Sequence, residues 1–599
     1  MKIILALLFF SATAVAQLNQ ILIDENFEDW SAVQTYILDI EDNLSQGVDF
    51  KSLSITNDDN YLFIKIDFFD EIIIQEDTSI VLLINTDNDI LTGLQDHNSG
   101  AEIKYNFGNH HGYFYHNNDS TEIFQNDIQL ISAPTISSSS YEISFALKSK
   151  VNDSSVFSSN DIAVKVVNYF SLLDKIPNES DLLPYTIQRN VGYTYPKFQI
   201  NKSDSSSIRV ISYNIHRDDI FKEELFDSYK RIFNAINPDI IAFQEIYDHS
   251  SEEVANLMEQ FLESKDEQTW YHAKINPVDN TSNNRVDVLV VSRYPILESY
   301  RIQGLKYLPY GVDKANSAHL IDLPNSENHL LLVSAHTPCC QSNFYREIEL
   351  QEIMSFIRDA KSQGGVVDLE LNTPIIISGD MNLVGPSHQK DILTEGDLID
   401  NDFYGQDFKP DWDETSFADA KPFSTGFPGV ITWYDESSVY SPGRLDYLVY
   451  SDYTINLINS YSLFTKLLPE DILQSHNLNF DDAMKASDHL PIVADFTLKQ
   501  IVGVENDNNI LPNNTELHQN YPNPFNPNTT ISYSISESDF VQLKVYDMLG
   551  REVSKLVNEE QSSGKYKVEF DSSLLTSGIY FYRIVSGNYS AIRKMVILK

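Results

Sequence analysis

The sequence predicts a chain whose centre is a layered α/β domain set between two all-β modules. Three observations carry this. From about residue 207 to 498, short β-branched runs such as "IRVISYNI", "DIIAFQEI", "VDVLVVS" and "PIIISGDMN" alternate with stretches whose apolar residues recur at i, i+3 and i+4. On both sides of that region the helical period is absent, and short alternating runs separated by Asn, Asp, Ser and Gly remain. At 599 residues the chain exceeds what one core organises, so two to four domains are expected.

Taken in order, "MKIILALLFFSATAVAQ" has a basic residue, a short apolar run and an Ala14-Val15-Ala16 site, the pattern of a secretory signal peptide over 1–16. It is too short to span a bilayer, and no later stretch is long and apolar enough to do so. Residues 20–200 read as a β-sandwich, from runs such as "DDNYLFIKIDFF" and "TSIVLLINTDND". In 207–498 the helical stretches are "SYKRIFNAIN", "SSEEVANLMEQFLES" and "YREIELQEIMSFIRDAK". An Asn- and Asp-rich linker, 499–515, leads to a module at 516–599 built from "LKVYDMLG", "KYKVEF" and "GIYFYRIVSG".

Composition narrows the class. An apolar fraction of 42% with 12% aromatics describes globular material. The net charge is -45, and residues 207–498 carry 21 Lys+Arg against 47 Asp+Glu. Such a surface repels polyanions at long range and attracts cations. The only two cysteines, Cys339 and Cys340, are adjacent and make no disulfide framework. Burial statistics predict a pair of small buried side chains; a vicinal disulfide or a lining of the nearby site is the alternative.

Polar residues gather at the strand ends of the middle region. Asn214 ends "RVISYN", Glu245 follows "DIIAFQ", His336 ends "LLLVSAH", Asp380 and Asn382 end "IIISGDMN", Asp446 lies in "GRLDYLVY", and Asp488-His489 open "SDHLPIVADF". Each alone is an ordinary turn or cap residue. Together, at the edges where sites are built, they describe an oxygen-rich centre for a hard cation, Mg²⁺ or else Mn²⁺ or Ca²⁺, with histidines for proton transfer. That set suits phosphoester hydrolysis. Asp380 and Asn382, two positions apart on an extended chain, are expected to share a face.

The ordered series "SYNIH", "FQE", "SRYP", "SAHTP", "SGDMN", "RLDYL" and "SDHLP" resembles the motifs of the endonuclease/exonuclease/phosphatase superfamily. The resemblance implies a four-layered α/β/β/α sandwich and a divalent-metal-dependent phosphoesterase, most nearly nuclease-like. It implies metal ligands at Glu245, Asp488 and Asn214. It makes Asp380 the carboxylate that handles water or leaving group, with Asn382 as its orienting partner. It makes His489 a catalytic imidazole held by Asp446, His336 a second phosphate-binding histidine, and Arg293 a substrate contact. Arg346 is expected either to support the site or to pair with Glu349. Substrates stay open between nucleic acid and other phosphodiesters on one side, and a sphingomyelinase- or phosphatase-like choice of lipid or small phosphates on the other. An inactive glycan-binding surface protein is the reading from another class.

The C-terminal "YPNPFNP…VQLKVYDMLGREV…SGIYFYRI" resembles the type A sorting domain of the type nine secretion system, which implies an Ig-like β-sandwich, a secretion-machinery partner, and a secreted or surface-attached product. Residues 20–200 are similar to carbohydrate-binding or DOMON-like sandwiches, through "DENFEDW", "NDDNYLFIKIDF" and "LLINTDNDILTG", which implies a glycan ligand. Asp87 and Asp89 in the last of these are expected to form an Asx-rich turn, with a Ca²⁺ loop as the alternative.

Overall fold

The computed structural model describes residues 20–597 without 39–47, 96–98, 118, 170–173, 178–181, 194, 263–268, 276–286, 303–315, 325, 327–328, 363, 500–514, 519, 521–522, 524, 526, 574 and 588. The expected signal peptide lies outside these residues, as does nearly all of the 499–515 linker. The chain divides into two compact units, Met1–Ser355 with Asn372–Leu498, and Phe356–Leu371 with Lys499–Lys599. Among the described residues no helix is long and apolar enough to cross a membrane.

In the first unit, residues before 200 form two large antiparallel sheets and a small two-stranded one, Lys150–Val151 with Ser154–Ser155. Of the large sheets, one has five strands, and its central members are Phe50–Asn57, Tyr61–Ile72 and Ser138–Ala146. The other has seven and includes Ile80–Asn85 and Asp161–Asn168. Leu53, Ile64 and Ile66 of the first share one core with Leu82, Ile84 and Val164 of the second, as the alternation requires when each sheet buries one face.

The middle region contains β1 (Ile208–Asn214), α1 (Phe226–Ile236), β2 (Ile240–Gln244), α2 (Ser251–Phe261), β3 (Leu289–Ser292), β4 (Asn316–Ile321), β5 (Leu330–His336), α3 (Asn343–Ala360), β6 (Ile375–Asp380), β7 (Asp446–Tyr450), β8 (Ile455–Ser462) and β9 (Ile492–Leu498). A seven-stranded sheet runs Tyr271–Ala273, β3, β2, β1, β9, β8, Phe423–Ser424. A six-stranded sheet runs Ile296–Ile302, β4, β5, β6, β7, Ala418–Asp419. Val210, Ala242, Val290 and Ile492 of the first face Leu332, Ile376 and Leu448 of the second in one apolar cluster. On the outer face of the first sheet, Ile211, Tyr213, Ile241 and Phe243 pack against Tyr229, Ile232 and Phe233 of α1 and Val254 and Met258 of α2. The middle strands are therefore buried on both faces, which is why "IIAF" and "IIIS" read as unbroken apolar runs. Ser250 caps α2 and forms a capping box with Glu253.

Polarity decides register at depth. β1 pairs parallel with β2, placing Asn214 opposite Gln244, and β5 pairs parallel with β6, placing His336 opposite Asp380. β7 runs antiparallel to β6, so its first residue, Asp446, meets Asp380. Strand ends from both sheets thus lie along one edge.

The residues before 200 grip the loops behind that edge. Ile23 bridges Gly429, with Ile23 N–H donating to Pro428 O at 2.8 Å and Val430 N–H to Ile23 O at 2.9 Å. Ile23, Trp30, Tyr61 and Phe63 pack with Phe427, Ile431, Tyr434 and Leu490 in one apolar cluster. Thr135 Oγ1 donates to Leu383 O at 2.8 Å, and Gln125 Nε2 donates to Tyr440 O at 2.8 Å.

In the second unit, a three-stranded sheet (Glu516–Leu517, Asn528–Ile535, Gly564–Asp571) shares a core with a four-stranded sheet (Glu552–Gln561, Asp539–Tyr546, Gly578–Ser586, Tyr589–Ile597) through Ile531, Tyr533, Leu543, Tyr582 and Met595.

Two buried charges make the fold testable. Arg209 and Asp495, each 1% exposed, form a two-pronged pair at 2.6 and 2.7 Å between β1 and β9. Asp495→Ala strands the guanidinium and is expected to cost about 3–5 kcal/mol in chemical unfolding. Glu142 accepts from Asp24 N–H at 3.1 Å, and burial, then the charges of Asp29 and Asp24, raise its carboxyl well above its ordinary range. A raised folded-state value means that its stabilisation is complete below the unfolded value and declines as pH rises above it. Glu142→Gln is expected to flatten the fall in thermal midpoint that the native carboxyl causes as pH rises above the ordinary carboxylate range; an unchanged slope contradicts this.

Candidate functional site

Asp380 closes β6, and one of its carboxylate oxygens is the meeting point of the strand ends. Asn214 Nδ2 donates to Asp380 Oδ2 at 3.1 Å. His336 Nε2 lies 3.5 Å from the same oxygen and His489 Nε2 3.6 Å from it. Asn214 Nδ2 also reaches Glu245 Oε1 at 3.2 Å, and His336 Nε2 lies 3.9 Å from that carboxylate. The other Asp380 oxygen accepts from Asn382 N–H at 3.1 Å.

Local backbone places these groups. Glu245 has φ +63°, which turns it out of β2, and its Oε2 accepts from Arg217 N–H at 2.9 Å. Gly379 has φ +152°, and a Cβ there would sit 1.8 Å from Ala335 O, so only glycine lets β5 and β6 close beside His336 and Asp380. Ser487 Oγ donates to Asn214 O at 2.8 Å, which fixes the segment carrying Asp488 and His489 against the end of β1.

Each histidine has a carboxylate behind it. His489 Nδ1 bonds Asp446 Oδ2 at 2.8 Å, and His336 Nδ1 bonds Asp287 Oδ2 at 2.6 Å. Those bonds fix which nitrogen of each ring points at Asp380. Burial works against charge on His489, but Asp446 and Asp380 outweigh it and lift the imidazole to about 10. Asp446 is itself held by Thr432 Oγ1, which accepts from its backbone N–H at 2.9 Å.

The donor chemistry accommodates a cation. Asp380, Asp446 and His489 each offer one ligand atom within 4.8 Å of the others. Among the described residues, Asp446 Oδ1 is buried with no hydrogen-bond partner. Glu245, Asp488 and Asp380 supply the oxygens a hard divalent ion takes. Asn214 turns its amide NH2 to Asp380 and Glu245, while its Oδ1 accepts from His216 N–H at 3.0 Å. His489 Nδ1 is already committed to Asp446, which favours a proton-handling role for that pair over ligation.

Asn214, Glu245, His336, Asp380, Asn382, Asp446 and His489 are thus joined by contacts, with Asp488 adjoining His489. Their geometry departs from expectation at Asn382. The chain leaves β6 after Asp380, Asn382 takes φ +48°, and its Nδ2 donates to Thr337 O at 3.0 Å. It addresses the site through its backbone and the loop after His336, because the extended strand that would align it with Asp380 ends at Asp380. Arg293 is not part of the cluster. β3 runs antiparallel to β2, so Arg293 follows Ser292 at the far end, where its N–H donates to Asp239 O at 2.8 Å and its guanidinium bonds Asn237 and faces Trp270. Arg346 bonds Pro338 O, Cys340 O, Asn343 and Gln389, and Glu349 instead accepts from Asn316. Cys339 and Cys340 are exposed, not buried.

Sequence reasoning missed two participants. Asp287 stands at the start of "VDVLVV", and its place before an apolar strand is the one signal it gives. Trp433 donates its Nε1–H to Asp488 Oδ2 at 3.2 Å and bridges His489 and Gly443 through its backbone. Away from the site, Asp87 and Asp89 cap the N–H groups two residues on, as Asx turns do, and Thr92 joins Asp87.

Comparison with known proteins adds the following. Residues 211–489 match the model of the Endonuclease/Exonuclease/phosphatase family, and residues 519–598 match the Secretion system C-terminal sorting domain. The sorting domain marks the protein as secreted or cell-surface attached. Comparison with curated proteins returns no match. Among solved structures, the human Nocturnin catalytic domain with bound sulfate is 16% identical, covering 49% of this chain and 95% of its own, with a TM-score of 0.30. ANGEL2, a 2',3'-cyclic phosphatase, is 15% identical, covering 49% and 96%, with a TM-score of 0.34. Beta toxin from Staphylococcus aureus is 17% identical, covering 48% and 99%, with a TM-score of 0.32.

Gly379→Ala is expected to part β5 from β6 and abolish activity together with a fall in thermal midpoint. Asp287→Asn keeps the packing but removes the charge behind the His336 ring, and is expected to lower kcat/KM about 10- to 100-fold with an unchanged melting temperature. Wild-type kinetics in Asp287→Asn would refute that role.

Proposed function

With residues 211–489 forming a domain of the endonuclease/exonuclease/phosphatase family, we propose that this protein is a secreted, divalent-metal-dependent phosphoester hydrolase, nuclease-like in its residues. The observation that carries the reading is the convergence of Asn214, His336 and His489 on one oxygen of Asp380, with Glu245 within reach of Asn214. In this reading the middle domain is a four-layered α/β/β/α sandwich over 207–498, flanked by β-sandwiches at 20–200 and 516–599. The cores shared between paired sheets and the α1 and α2 packing support that layering.

Glu245 and Asp488, with Asn214, would hold Mg²⁺, or Mn²⁺ or Ca²⁺, which supplies charge neutralisation at a phosphoryl oxygen and lowers the pKa of bound water. Asp380 takes the proton of the attacking water or steadies the leaving group, and Asn382 N–H holds its second oxygen in place. His489, charged through Asp446, donates from Nε2 to a non-bridging oxygen, where negative charge builds in the transition state. His336, aligned by Asp287, does the same from the other side.

A second reading, a sphingomyelinase- or phosphatase-like choice of lipid or small phosphates, is favoured by one observation. The 21 basic against 47 acidic residues of 207–498 give little electrostatic attraction for a long polyanion. The intact acid, amide and histidine set argues against an inactive glycan-binding surface protein, because a retired site has no constraint to keep its members.

A generic phosphodiester, DNA, sphingomyelin and phosphomonoesters, each assayed with Mg²⁺ and with chelator, separate these readings. Hydrolysis is expected to vanish with chelator. His489→Ala and Asp380→Ala are each expected to cost about three orders of magnitude or more in kcat while the chain still folds. Chelator-resistant hydrolysis, or near-full activity in either variant, would overturn the assignment.

A further inference from the structure

Cys339 and Cys340 are the chain's only cysteines, and both lie exposed three and four residues beyond His336. On an extended chain neighbouring side chains point to opposite sides. Here Cys340 takes φ +61°, a left-handed conformation, and the two Sγ atoms stand 2.7 Å apart. The turn that holds them so is fastened from below by Arg346, which is fully buried. Its Nε donates to Pro338 O at 3.0 Å and its Nη2 to Cys340 O at 2.8 Å, while Nη1 is tied to Asn343 Oδ1 at 2.6 Å and Gln389 Oε1 at 3.2 Å. A buried guanidinium that gives donors to two carbonyls of one turn leaves that turn little freedom to open. The sulfurs are thus preorganised against each other by groups that take no part in thiol chemistry.

We propose that Cys339 and Cys340 form a redox site that closes to a vicinal disulfide in the exported protein. The oxidant is a low-molecular-weight disulfide. One thiolate attacks it, forming a mixed disulfide and releasing one small thiol. The neighbouring thiolate then attacks the protein sulfur, expelling the second small thiol and closing the ring. Two cysteine hydrogens are lost and two small thiols are made, so atoms and electrons balance. Exposure admits the incoming disulfide, and the sorting domain delivers the protein to an environment where disulfides persist. The proposal is independent of the hydrolase reading, since it rests on thiol geometry and export.

The test uses the full chain and reads thiols by intact-mass spectrometry. The reduced protein is treated with excess oxidised glutathione, then unfolded in an alkylating agent. The expected product is a monomer two hydrogens lighter than the reduced chain, carrying no alkyl group and no glutathione. Cys339→Ser and Cys340→Ser, which cannot close the ring, are each expected to retain one glutathione. Two alkyl groups on the oxidised wild type, a retained glutathione, or a disulfide-linked dimer would overturn the proposal.

Discussion

A carboxylate 2% exposed has to be compensated, and the way Asp380 is compensated organises the middle domain. Its partners come from the ends of two other strands and from the segment that leads into a third. Asn214 closes β1, His336 closes β5 beside it, and His489 stands before β9. None of these contacts is local in sequence; the Asn214 bond spans 166 positions. The two sheets must therefore pack in one register for the charge to be satisfied, and the apolar core between them makes that register the one available. The same arrangement leaves two imidazole Nε2 atoms facing one carboxylate oxygen.

That arrangement depends on a part of the chain that contributes no side chain to it. The loop from Phe427 to Arg444 carries Trp433 and Thr432, and it leads into Asp446. Residues before 200 hold this loop through the Ile23–Gly429 bridge, the Gln125 bond to Tyr440 O, and the apolar cluster around Trp30 and Tyr61. Arg444 stacks over Tyr447 at 3.9 Å and pairs with Asp419, with Glu25 also 3.9 Å from its guanidinium. The amino-terminal sheets thus act as a wall of the middle domain.

The polar residues that end apolar runs were legible in the sequence, because a charged or amide group after "IIAF" or "LLLVSA" has few reasons to be there. The strands and three helices that carry them were legible for the same reason, through unbroken apolar runs and helical spacing. Strand direction was not. Asp287 and Arg293 flank the two ends of one short strand, and the "SRYP" motif points to Arg293 without saying which end faces the site. The antiparallel pairing of β3 with β2 puts Asp287 at the site and Arg293 at the opposite end. Asn382 was placed by an extended spacing that a positive φ interrupts. The strand Asn316–Ile321 gives no apolar run because His319 sits inside it, buried and neutral, its ring held near 3 by burial and bonded to Ser299 and Ser317. Composition cannot anticipate a histidine satisfied in that way.

The central claim is that these groups surround one divalent ion. Anomalous diffraction from crystals soaked in Mn²⁺ tests it most directly. The account predicts a single strong peak bounded by Glu245, Asp488 and Asn214, with Asp380 adjoining. No peak at that edge, or a peak seated only between Asp446 and His489, would contradict it.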